Sequence, residues 1–165
     1  MSEGDTTKHL EVYLQDHYAG AVSALELLKH LIDAYQSEPL GGFFTELRSD
    51  IEADHKQLHN LMSALGLEES SLRNAGAWMA EKLGRIKVGI TSDEDAKLRL
   101  LQALETLLIG ITGKKLLWRA LAAVQESSPV LQRTDFAQME SRAAEQARRV
   151  EEQRLLAAQG ALRAS

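Results

Sequence analysis

The residues with the clearest capacity for chemistry lie in one stretch, Glu52-x-x-His55 followed by His59. His55 and His59 are four residues apart, so on a helix they share a side and could grip a metal ion at the surface. Zinc would need more ligands than the two imidazoles supply, and Glu52 is the one obvious donor nearby. All five histidines fall before residue 60. The chain has no cysteine, which excludes disulfides, thiolate metal sites, iron–sulfur clusters and cysteine nucleophiles. No Gly-x-Ser-x-Gly is present. The run GITGKKLLW, from Gly110 to Trp118, contains a Gly-Lys pair but lacks the preceding strand and the spacing of a phosphate loop.

The elements that must position these residues are helices. Leu, Ala, Glu, Gln, Arg and Lys dominate, and these are helix formers; no β-branched run alternates with polar residues. The 165 residues suit a single domain, 1–165, and 44% hydrophobic with 26% charged residues is a globular balance. A first helix is expected over about 7–36, capped by Asp5, Thr6 or Thr7 and ended by the SEPLGG segment, where Pro39 cannot continue an incoming helix. A second follows over 40–65, stopped by Gly66. A third runs over 93–126, capped by Thr91 or Ser92 with acids in its first turn, and a fourth over 134–162. Between the second and third lie about 25 residues, too many for a bare loop in a compact domain. Their own pattern (Leu72, Ala75, Trp78, Met79, Leu83, Ile86) predicts a helical crossover over 71–87, capped by Ser70 or Ser71. Two hairpins joined by one long crossover give an all-α, ferritin-like four-helix bundle.

At this point the chain resembles the ferritin-like superfamily, and within it a group of bacterial proteins to which no activity is attached. The stretches that carry the resemblance are YLQDHYAGAVSALELL, DIEADHKQLHNLM, AWMAEKLGRIK and GITGKKLLW. The resemblance implies a di-iron or di-manganese site built from inward Glu and Glu-x-x-His. Glu26, Glu52, His55 and Glu105 would supply it. Helical phase argues against that site. Glu52 lies roughly 120° and His55 roughly 60° from the centre of the apolar ladder of the second helix. Glu26 sits nearly opposite its ladder, and Glu105 lies on the flank of a third-helix ladder through Leu104, Leu108, Ile111, Lys115, Trp118 and Ala122. The fourth helix has no histidine; its nearest match is Glu145-x-x-Arg148. Hemerythrin-like chemistry needs histidines on all four helices, and their confinement to the residues before 60 argues strongly against it. The expected cofactor is therefore none, with iron or manganese as the alternative.

Polar residues do fall on the inward ladders: Asp54 and Arg154 at similar heights, and His17 and Lys115 a turn or two further down, near Glu140. A buried charge is costly unless paired. Structural pairs Asp54–Arg154 and Lys115–Glu140 are the expectation; a small-molecule pocket at this cluster is the alternative. A net charge of −5 gives no reason to expect nucleic acid. Arg73, Lys82, Arg85 and Lys87 in the crossover are the best surface for an acidic partner. No apolar run reaches the ~20 residues of a membrane span. The opening MSEGDTTKHL lacks a basic start and apolar run, so the chain is expected in the cytoplasm. The expected mode of action is non-catalytic, through a homodimer or another protein, with Gln15, Ala19 and Val22 as an outer stripe of the first helix for a partner.

Overall fold

A computed structural model describes residues 3–67 and 93–163. The described residues are helical apart from short connections, with no strand among them. The elements are α1 (Glu3–Ala34), α2 (Pro39–Ala64), α3 (Asp93–Ala123), the short α4 (Pro129–Gln132) and α5 (Phe136–Leu162), with a 3-10 turn at Gln125–Ser127. The expected crossover over 71–87, its four basic residues and the caps Ser70, Ser71, Thr91 and Ser92 lie outside the described residues. None of the described helices is long and apolar enough to cross a membrane.

The chain divides into two compact units: α1 and α2 with the Gln125–Thr134 connection, and α3 with α5. In the first unit, α1 begins earlier than its cap-like residues suggest, so Asp5, Thr6 and Thr7 sit inside the helix. The Tyr35 carbonyl accepts the Glu38 N–H at 3.0 Å. Glu38 is extended (φ −118°, ψ 155°), as steric contact with the following proline ring demands. Pro39 then takes the first position of α2, where a missing N–H costs nothing. It thus starts the second helix as well as barring the first. At the far end Gly66 adopts φ 74°. Its N–H reaches the Ser63 carbonyl at 3.0 Å and that of Leu67 reaches Met62 at 3.1 Å, the paired bonds of a Schellman stop.

Leu14 and Leu28 of α1 and Phe44, Leu47, Ile51, Leu58 and Met62 of α2 are buried. The three-and-four spacing in α2 is the inner stripe of an amphipathic helix. Ala19 is buried as well. It belongs to the packed side of α1 and cannot form part of an outer stripe.

The second unit is an antiparallel hairpin. Going up α3, Glu105, Lys114 and Arg119 meet Arg154, Gln146 and Glu140 in turn, going down α5. Leu104, Leu107, Ile111, Trp118 and Leu121 are buried on α3, and Phe136, Ala143 and Val150 on α5. Trp118 and Phe136 stack with ring centroids 6.3 Å apart. The α3 ladder differs from the expected Leu104–Leu108–Ile111–Trp118–Ala122: Leu108 is only half-buried and Ala122 is exposed. Leucines surround this helix, so its apolar pattern has no single centre.

The α3–α5 connection is also more ordered than a plain loop. Helix α3 ends at Ala123, three residues early, and tightens into the 3-10 turn. Ser128 caps α4, its Oγ accepting the Val130 N–H at 3.2 Å, with Pro129 at the first helical position. Asp135 then caps α5 by accepting the Gln138 N–H at 2.9 Å, which places the helix start after Thr134 rather than at it.

Candidate functional site

The histidine pair is positioned by the α1–α2 hairpin. Tyr18 of α1 lies beside both rings of α2: its centroid is 4.3 Å from that of His55 and 6.3 Å from that of His59. The preceding residue on α1, His17, meets Tyr13 edge-on at 4.8 Å, one turn earlier. The histidines are thus packed against aromatic rings, each about half-buried. His55 Nε2 is buried and has no hydrogen-bond partner among the described residues.

That environment disfavours an imidazolium. Burial, and secondarily the neighbouring His59, hold the His55 pKa below the ordinary histidine value, against an opposing pull from Glu52. Burial also lowers His17, opposed by Asp16, and raises the Tyr18 phenol. The consequence for stability has a definite sign. Well above about pH 6.5 both histidines are neutral in the folded and unfolded chains. As pH falls below that value, the unfolded chain takes up protons that the folded chain still refuses, so stability falls until the lower folded pKa is passed. Urea unfolding should therefore show a lower midpoint at pH 5.5 than at pH 7.5. His55→Phe, which keeps a ring against Tyr18, should flatten that dependence, and an unchanged slope in this variant would remove His55 as its source.

The acidic residues of the metal alternative face elsewhere. Glu26 lies 3.5 Å from His30 Nε2 and 4.0 Å from Lys29 Nζ. Glu52 pairs with Arg48 at 2.8 Å. Glu105 accepts from Arg154 at 3.3 Å. Their side chains are each about half exposed. Among the described residues no group of three or more His, Asp or Glu is placed to hold a metal ion. Glu145 and Arg148, the nearest match to Glu-x-x-His on α5, form an exposed ion pair at 2.7 Å.

The interior polar residues are distributed over both units. Asp54 is buried, 5% exposed, and partnered. Arg154 is largely covered; its guanidinium binds Glu151 through two bonds, at 2.6 and 2.8 Å, and reaches across the hairpin to Glu105. Glu140 is held by Arg119, one turn beyond Lys115. Two members of this ladder escaped sequence reasoning. Gln146, 2% exposed, accepts a hydrogen bond from Lys114. The spacing Ala143–Gln146–Val150 carries the signal, but Ala147 fits the same ladder almost as well and, being apolar, hides it. What the α3–α5 hairpin builds is a row of cross-helix polar contacts, Glu105–Arg154, Lys114–Gln146 and Arg119–Glu140, that fixes the register of the two helices.

Comparison with known proteins finds no matching protein-family model, no matching curated protein and no matching solved structure.

Proposed function

We propose that this chain is a ferritin-like four-helix protein that acts by binding another protein surface, without a resident metal and without catalysis. The observation that carries the reading is the engagement of the carboxylates. A di-metal site needs glutamates turned inward with their lone pairs free for the ions, whereas Glu26, Glu52 and Glu105 are half exposed and each meets a basic side chain. The order of two hairpins joined across residues 68–92 supports the ferritin-like assignment. Large apolar side chains left exposed on α3 and α5, among them Ile109, Leu116, Leu156 and Leu162, support action through contact with a protein, since such groups in number mark interaction surfaces.

Elemental analysis tests this reading. Untagged protein from cells grown with added iron and manganese should carry far less than one metal ion per chain, and Glu52→Ala/His55→Ala should leave that content unchanged. Near-stoichiometric iron or manganese, lost in the double variant, would replace the proposal with a metal-dependent one.

A further inference from the structure

Helix α3 carries a second apolar face. Ile109 is 74% exposed, Leu116 52% and Leu98 42%. At about 100° per residue, these three lie within roughly 20° of one another, on the side away from buried Leu104, Leu107, Ile111 and Trp118. A helix that packed only through its inner stripe would be polar here. Gly113 borders this face, about 40° from Ile109. A Cβ built on it meets nothing within 4 Å, so among the described residues no neighbour demands a glycine, although glycine weakens a helix interior.

The charges indicate what fits this face. Glu105 and Arg119 flank it, each seven residues from Thr112. Glu105 keeps 47% of its side chain exposed and Arg119 59%, beyond their contacts with Arg154 and Glu140. A carboxylate and a guanidinium each have capacity for a second partner. A two-fold axis beside Thr112 and Gly113 sets Ile109 against Leu116 of the partner subunit and Glu105 against Arg119 of the partner subunit, and the reverse. Apolar groups then meet apolar groups at the centre, with opposite charges at both ends. A parallel pairing would set like charges together.

We propose that a second copy of this chain docks here, α3 against α3 and antiparallel, with Gly113 allowing close approach of the two helices. This rests on the binding reading above and names its partner and surface. With the axis there, residues 102–123 of the two α3 helices overlap over about 30 Å and Leu98 lies beyond the end of the partner's α3, leaving a single helix-on-helix contact below the size of a standard interface. The dimer is accordingly weak, with a dissociation constant on the order of 10–100 μM.

The absence of cysteine makes the test direct. Under mild oxidation at ~100 μM, close to that range, Thr112→Cys should form a disulfide-linked dimer. Gln102→Cys, exposed on the same face but about 30 Å from its symmetry mate in the antiparallel pair, should stay monomeric. Light scattering from about 1 to 500 μM, spanning the same range, should show the wild-type mass rising towards a dimer and Ile109→Lys remaining a monomer. Cross-linking at 102 as fast as at 112 overturns the antiparallel pairing. A monomeric wild type that does not cross-link at 112 overturns the inference and leaves the binding reading to a partner of different sequence. A dimer indifferent to Ile109→Lys and to cysteine at 112 overturns this surface alone, whereas stoichiometric metal overturns the reading beneath it. Ile109 is a surface position, and if its lysine variant misfolds by circular dichroism, the cysteine pair decides.

Discussion

Gly41→Ala should destabilise the chain by about 2–3 kcal/mol, in the upper range for forcing extra atoms into a packed site. Gly41 is buried at the start of α2, against the turn that follows α1. A Cβ there would lie 2.2 Å from the Tyr35 carbonyl oxygen, 2.9 Å from its carbon and 3.2 Å from Gln36 Cα. All three are backbone atoms and cannot swing aside as a flexible side chain would. The oxygen also accepts the Glu38 N–H, so moving it breaks the bond that turns the chain into Pro39. The adjacent Gly42 is the internal control. It is exposed, and a Cβ there meets nothing within 4 Å. Gly42→Ala should gain about 0.5–1 kcal/mol by restricting the unfolded chain at a helical position. Urea unfolding of both variants should give midpoints on opposite sides of the wild type. A Gly41→Ala protein as stable as its parent would mean that the two helices do not approach this closely.

The boundaries that were legible in the sequence are those set by a single residue's covalent geometry. Pro39 restricts Glu38 and cannot donate; Gly66 alone of its neighbours takes positive φ cheaply. Neither depends on what packs against it. The Gln125–Thr134 connection was not legible, because a four-residue helix has too few positions to show a period. Its evidence is a pair of caps, Ser128 and Asp135, which read equally well as loop residues until the N–H groups they accept are located. The phase of α3 failed for another reason. A helix with leucine at 98, 100, 101, 104, 107 and 108 satisfies several ladders, and only the partner helix selects one.

Within the candidate site, inward position was easier to read than partnership. The apolar ladder of α2 runs through Asp54, and the fold buries it. Which cation meets which acid was not legible. Lys114, Lys115 and Arg119 lie within two turns on long flexible stems, so any of them can reach across the hairpin, and the choice depends on rotamers set by the surroundings. The arginine takes Glu140, where a planar fork suits a carboxylate, and Lys114 takes Gln146. The ring contacts of Tyr18 have no periodic signature at all, since Tyr18 and His55 are brought together only by the α1–α2 hairpin.

The α3–α5 hairpin should depend most on Trp118. It is 1% exposed and stacks on Phe136 near the connected end of the hairpin. Trp118→Ala removes the largest buried side chain among the described residues and should cost about 3–5 kcal/mol through lost burial and the cavity left behind. That is a large fraction of the stability of a domain this size. Trp118→Phe should cost far less, about 1–1.5 kcal/mol, as for other near-volume-conserving swaps. The indole N–H is buried without a hydrogen-bond partner among the described residues, so phenylalanine forfeits volume but no bond. The ring pair itself is separable by a double-mutant cycle with Phe136→Leu, which should return a coupling of about 0.5–1.5 kcal/mol. Urea unfolding of the four proteins measures all of these quantities. Additive losses would mean that Trp118 and Phe136 are buried side by side without the stacking contact. A Trp118→Phe loss as large as that of alanine would point instead to a hydrogen bond from the indole N–H.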